Sequence, residues 1–233
     1  MKRRYKSVEV SESGSGFALS LDGKPMRTPA GNPLAAAPRA LAEAIAEEWR
    51  AQGEAVDPRS MPMTQFVATA LDRVPGVRER IVHDLAAFAE TDLLCHRADG
   101  PPPLVERQVR EWQPLLDWAA AALDAPFVVC AGVMPVEQPK AARAAIRSRI
   151  EGLDDLRLVA LQTLAGGTGS IVLAFAVMEG RLGWEEAHRL SRLDEDFQIE
   201  KWGEDPEAAK SRQGIHEDLR QAARLLSLAR VRH

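Results

Sequence analysis

Near the start of the chain the apolar residues come two apart. YKSVEV (5–10) alternates, and in GFALSLDG (16–23) Phe17, Leu19 and Leu21 share a face, the period of a half-buried strand. Asp22-Gly23 marks a hairpin, because a type I′ turn needs positive φ and glycine supplies it without a Cβ clash. KPMRTPAGNPL (24–34) then reads as a short strand and a Pro/Gly turn. A hairpin of this size cannot stand alone in water, so the module must pack on something.

Past Pro38 the period lengthens. Leu41, Ile45 and Trp49 recur at i, i+4 and i+8 while Glu43, Glu47, Glu48 and Arg50 face elsewhere, which predicts an amphipathic helix with Pro38 suited to its first turn. After the turn-rich EAVDPRSMPMT, helical patterns cover 63–73, 76–90, 103–123, 138–151, 156–178, 184–202 and 206–228. Pro114 predicts a kink or a fresh start within 103–123. PFVVCAGVMPV (126–136) is the one later stretch that reads as strand, and no internal repeat is evident. The fold class is therefore α+β: a small antiparallel β module at 1–36, then a larger, mostly α-helical domain at 37–233.

Charge and composition narrow the function classes. At 233 residues the chain can bury one large core or two small ones, and 45% hydrophobic with 27% charged residues is ordinary for a globular protein. A net charge of -4, with no basic block beyond the short KRR at the start, argues against a general nucleic-acid binder. Cys95 and Cys130 are too few for a disulfide scaffold and read as thiols of a reducing compartment. MKRRYKSVEV has no apolar stretch behind it, unlike a secretory signal, so the expected location is the cytoplasm.

LAGGTGSIVLAFAVM (164–178) raises two possibilities of larger consequence. A Walker loop needs a Lys after its glycines to reach the phosphates, yet Ser170 is followed by Ile171 and no Lys or Arg lies between Arg157 and Arg181. The strand–glycine–helix frame of a dinucleotide site is missing as well. Close helix packing or a helix break is the better reading, with Ala165/Gly169 and Gly166/Ser170 each four apart. The uncharged run 158–178 has the length of a membrane span. Gln162, Thr163, Thr168 and Ser170 near its middle, and the lack of an aromatic belt, favour a buried helix with no stable membrane insertion.

Other polar clusters are weaker. Glu185 and His188 have the i, i+3 spacing of a di-iron half-site, but no second copy exists, and His188 reads as an exposed helix residue. Adjacent Cys95 and His96 diverge, and no second pair supports zinc. Asp194, Glu195 and Asp196 read as a solvated face. In FQIEKWGEDPEAAK (197–210), Trp202-Gly203 ends one helix; Asp205, Pro206 and Glu207 begin the next as N-cap, first and second helical residues. Glu204, Asp205 and Glu207 then suit the positive end of the helix dipole. The same corner beside a large aromatic is also a plausible protein-docking surface, since Trp is enriched among interface hot spots.

Taken in order, LDGKPMRTPAGNPL, ALAEAIAEEW, DPRSMPMTQFVATALDRV, AETDLLCHRA, LVERQVREWQPLLDW, GVMPVEQP, GSIVLAFAVMEGRL and AHRLSRLDEDFQIEKWGEDPEA resemble one family along nearly the whole chain. That family comprises the F-type ATP synthase assembly chaperones that handle the alpha subunit of the catalytic head. The resemblance implies a β module plus a helical domain, no catalysis and no cofactor. It implies a monomer that holds unassembled alpha subunit until the beta subunit takes its place. The family's acidic position after Trp-Gly maps onto Glu207, with Glu204 as its rival, so the implied partner-binding set is Trp202, Glu204, Asp205 and Glu207. The alternative of a different class is a small-molecule enzyme using the acids of 185–207, which predicts a pocket of convergent polar groups.

Overall fold

The computed structural model of the chain describes residues 2–14, 16–36, 38–132, 136–203 and 206–230, with the backbone alone for 206–208 and 211. The opening alternation becomes a four-stranded antiparallel sheet of β1 (Val8–Ser13), β2 (Gly16–Leu21), β3 (Lys24–Pro25) and β4 (Ala35–Ala36). β2 is central. β1 follows its full length, from Val8 opposite Leu21 to Ser13 opposite Gly16, while β3 and β4 share the other edge. Leu21 faces Lys24, which leaves Asp22-Gly23 as a two-residue loop with φ of 47° and 75°, the positive pair a type I′ turn requires.

The sheet packs on α1 (Arg39–Arg50), whose Leu41 and Ile45 are fully buried, as is Leu19 of β2 to within 1%. Two carboxylates then tie the following helix to what precedes it. Glu48 of α1 is buried and accepts from the backbone N–H groups of Met63 (2.7 Å) and Thr64 (2.8 Å) and from the Thr64 hydroxyl (2.8 Å). These amides belong to the first turn of α2 (Pro62–Asp72), where no intrahelical acceptor exists. Asp72, at the other end of α2, accepts from Thr28 Oγ1 (2.5 Å), Ala30 N (3.0 Å) and Asn32 Nδ2 (2.8 Å), fixing the Pro/Gly turn of the β module.

The chain divides into two compact units. The first comprises 1–78 with 154–160 and 224–233, and the second comprises 79–153 with 161–223. The division at residue 78 falls beside Val77, whose φ of -136° interrupts α3 (Val74–Ala87). The sheet shares its compact unit with α1 and α2.

Seven more helices follow: α4 (Pro102–Ala122), α5 (Lys140–Glu151), α6 (Asp155–Thr168), α7 (Ile171–Met178), α8 (Trp184–Ser191), α9 (Leu193–Trp202) and α10 (Pro206–Leu228). With ten α-helices among the described residues and one small N-terminal sheet, the class is α+β. The core of the second unit holds Trp112, Phe175, Leu94, Ile146 and Ile150, each 0–1% exposed.

Three local expectations need correction. The helix expected over 156–178 is two helices, α6 and α7, separated at Gly169 (φ 68°). Gly169 and Ser170 are therefore outside any helix, so the small-residue pairs that include them do not line a helix face. The helix expected over 184–202 breaks at Arg192, next to Ser191, whose hydroxyl donates to the His188 carbonyl (2.8 Å) and competes with the backbone ladder. The strand expected over 126–136 contracts to β6 (Cys130–Ala131), parallel to β5 (His96–Arg97), while 133–135 lie outside the described residues. Pro114 neither ends nor restarts α4. It sits on the exposed face, where water can solvate the carbonyl its ring leaves without a donor.

Candidate functional site

The glycine-rich segment is built around a carboxylate of its own. Asp92, fully buried, accepts from Ser170 Oγ (2.8 and 2.9 Å to its two oxygens), Val172 N (3.0 Å) and Leu94 N (3.0 Å). Ser170 is in turn the N-cap of α7, its Oγ accepting from Leu173 N (3.0 Å). The amides that a phosphate would need at this helix start are thus taken by a side chain already carrying negative charge. Burial pushes the Asp92 carboxyl up to about 6, with the Val172 and Leu94 amides pulling the other way. Gly167 serves the other expected purpose. A Cβ there would sit 2.9 Å from Leu219 Cδ2 and 3.4 Å from Ile215 Cγ2, so the glycine lets these α10 side chains lie directly against α6. All eight residues of α7 are buried, and among the described residues no helix is long and apolar enough to cross a membrane.

Three of the specific motifs meet in the core of the second unit. Buried Arg97, from ETDLLCHRA, donates to the carbonyls of Leu94 (2.8 Å) and Gln108 (2.6 Å). Gln108, on α4, accepts from Ala98 N (2.9 Å) and donates to Asp194 of α9 (2.7 Å). Trp112, one turn further along α4, donates its indole N–H to the Leu190 carbonyl at the end of α8 (3.0 Å). The acidic run is consequently not a uniformly solvated face. Asp194 is half-buried, with burial raising its carboxyl above the usual range, and Asp196 pairs with Arg212 of α10. Only Glu195 stays exposed, paired with Arg192 (2.8 Å). Asp92 and Arg97 were not singled out from sequence. Glu90, Thr91, His96 and Asp99 surround them and make the stretch look like a polar loop, so the sequence carried no local signal that they are buried.

His188 is half-buried rather than exposed, its ring edge-on to His216 at 5.3 Å, and Trp184 stacks edge-on to His216 at 4.6 Å. Burial first, then His216 and the guanidiniums of Arg192 and Arg212, hold its imidazole below the usual range. The acids that an enzyme would need here are committed separately: Glu186 to Arg189 (3.0 Å), Glu195 to Arg192, Asp196 to Arg212 and Glu200 to Arg107. Among the described residues no cluster of three or more His, Cys, Asp or Glu could hold a metal ion.

At the corner itself, α9 is pinned through its last turn and then releases its final residue. Glu200 takes both Arg107 nitrogens (2.8 and 3.0 Å), and the Phe197 ring lies under Arg107 (5.5 Å) and Lys201 (4.3 Å). Trp202 follows with 78% of its surface exposed, the highest among the exposed large apolar side chains. Gly203 ends the helix with φ 85° and ψ 168°, an extended region that only glycine adopts readily. α10 starts at Pro206 as the sequence predicts. Glu204 and Asp205 lie outside the described residues, and Glu207 falls in the first turn of α10 with its side chain likewise outside the description. The structure therefore places Trp202 on the surface and leaves its grouping with the three acids untested.

The ATP12 chaperone protein family profile matches residues 2–120. The crystal structure of Atp12 from Paracoccus denitrificans superposes with a TM-score of 0.95 at 40% identity, covering 98% of each chain. That of a protein from Agrobacterium tumefaciens gives 0.92 at 44% identity over 98% of this chain and 86% of the other. Mitochondrial atp12 of Schizosaccharomyces pombe is 24% identical over 215 residues, 87% of this chain and 74% of its own. Two of the three motifs that meet around Arg97 and Gln108 fall inside the matched region, and the chain belongs to the ATP12 chaperone family of ATP synthase assembly chaperones.

Proposed function

We propose that this chaperone binds the unassembled alpha subunit of ATP synthase and shields its apolar interfaces from aggregation until the beta subunit takes its place. It acts by binding rather than turnover, as a monomer in the cytoplasm. The observation that carries the reading is Trp202, an indole 78% exposed at the end of a helix whose other aromatic, Phe197, is buried. A large aromatic is costly to leave in water and is enriched among interface hot spots, so its exposure at a helix end, with Glu204, Asp205 and Glu207 next in the sequence, suits a docking corner. Release follows from differential affinity: the complex is favoured until the native neighbour competes for the same surface.

The test is aggregation of isolated alpha subunit followed by light scattering, without nucleotide. Equimolar chaperone is expected to suppress it, and to suppress an unrelated aggregating protein far less. Equal suppression of both leaves only nonspecific holding, and suppression of neither removes the reading.

A further inference from the structure

We propose that a cavity in the first compact unit, bordered by Lys2, Arg4, Lys24 and Arg27, binds an extended acidic peptide segment bearing an apolar side chain. The cavity measures about 660 Å3, within the roughly 300–1,000 Å3 typical of ligand pockets. In a chain of net charge -4 its border holds four cations and one acid, Asp22. Asp22 is already engaged: its Oδ1 accepts from the backbone N–H groups of Ser7 (2.8 Å) and Lys6 (2.9 Å), which hold its carboxyl below the usual range. Among the described residues no carboxylate pairs with Lys2, Arg4, Lys24 or Arg27; Arg27 donates instead to the Gly31 carbonyl (2.6 Å).

The short KRR at the chain start thereby divides into two jobs. Arg3 donates to the carbonyls of Tyr5, Arg50 and Gln52 and lies over the Tyr5 ring at 4.7 Å. It thus neutralises the negative C-terminal end of α1. Its neighbours are left for something else. Lys2 is held in place by its bridge to Ala55, and Arg4 is exposed.

The floor supplies the second half of the recognition. The Tyr5 hydroxyl donates to the Trp49 carbonyl (2.7 Å) and the Trp49 indole N–H to Thr64 Oγ1 (3.2 Å). With these polar atoms satisfied, Tyr5, Trp49, Leu21 and Met26 offer a ligand apolar surface. A compact phosphate is a poor match. The nearby amides of Lys6 and Ser7 are spent on Asp22, and Trp49 stands in the C-terminal turn of α1, the wrong pole for an anion that needs converging N–H groups. Cations spread over two chain segments around an apolar floor instead match carboxylates spaced along a peptide. That the ligand is polypeptide rests on membership of a chaperone family and not on the Trp202 corner.

The probe is a blocked hexapeptide, Glu-Leu-Asp-Glu-Leu-Asp, titrated into the full chain while the Trp49 indole N–H resonance, assigned with Trp49→Phe, is followed. Its Gln/Asn counterpart and pyrophosphate run in parallel. Saturable shifts with the acidic peptide, at least tenfold weaker for the amide peptide and for the Arg4→Glu/Lys24→Glu variant, are the expected result. Both positions are exposed, and the milder Arg4→Gln/Lys24→Gln pair, expected to weaken binding in the same direction, gives the reading if the reversal fails to fold. Equal binding of the amide peptide, saturation by pyrophosphate alone, or unchanged binding by the variants overturns the proposal. So does the absence of any shift. Loss of peptide binding in the variants with alpha-subunit capture intact separates this site from the corner, whatever becomes of the latter.

Discussion

Asp92 shows how far one side chain governs its surroundings. It satisfies amides at Leu94 and Val172 and the Ser170 hydroxyl in a site without solvent, so Asp92→Ala leaves several donors buried and unpaired. A loss on the order of 3 kcal/mol of stability is expected in urea melts, since each such group costs about 1–3 kcal/mol. Its pH dependence has a definite sign. With a folded value near 6 and an ordinary unfolded value, the folded chain takes up the proton first as pH falls. This carboxyl therefore contributes stability at low pH that is lost as pH rises through about 6, by an amount on the order of 2–3 kcal/mol. Asp92→Asn does not titrate, so the difference between wild type and variant should tilt toward wild type between pH 7 and pH 4. A flat difference over that range would show that Asp92 is not the group concerned.

At the scale of elements, helices with one apolar stripe were legible and helices without one were not. α10 begins at Pro206 and ends at Leu228 where the 3.6-residue pattern begins and ends. The 158–178 run has no polar face to give a period, and what cuts it in two is Asp92, 78 residues distant from Ser170. The glycines allowed a break there to be read as one of two possibilities, but no local rule reports the distant partner that selects it. Gly167 tests the same packing from the opposite side. Gly167→Ala gains up to about 1 kcal/mol of helix propensity against a contact with the movable end of Leu219, so its net effect is expected to be small. Gly167→Leu should instead lose about 1–3 kcal/mol by overpacking. Pairing it with Leu219→Ala should recover part of the loss, because the two side chains contend for one volume. A strictly additive double mutant would place the strain elsewhere.

For the whole molecule, the charges that matter are local and not net. The cationic cavity was invisible in the sequence because Lys2 and Arg4 stand some twenty residues from Lys24 and Arg27, and only the hairpin brings them together. At the proposed docking corner the helix end at Gly203 and the helix start at Pro206 were legible, whereas the exposure of the Trp202 indole was not. Trp202→Ala, at so exposed a position, should shift stability by less than about 0.5 kcal/mol while weakening capture of alpha subunit. Glu207→Lys should likewise leave the melting temperature nearly unchanged and reduce capture, because a reversed charge impairs both steering and register. Normal capture by both variants would move the partner-binding surface away from this corner.

The indoles at the two extremes of exposure also make the chain its own optical instrument. Trp112, 0% exposed and hydrogen-bonded to Leu190, emits from an apolar interior and shifts to the red only when α4 and α8 part. Trp202 emits from water and can shift to the blue only when something covers it. Unfolding and occupation of the corner thus push these two indoles in opposite spectral directions, so a single titration distinguishes a chaperone that has engaged a client from one that has merely lost its fold.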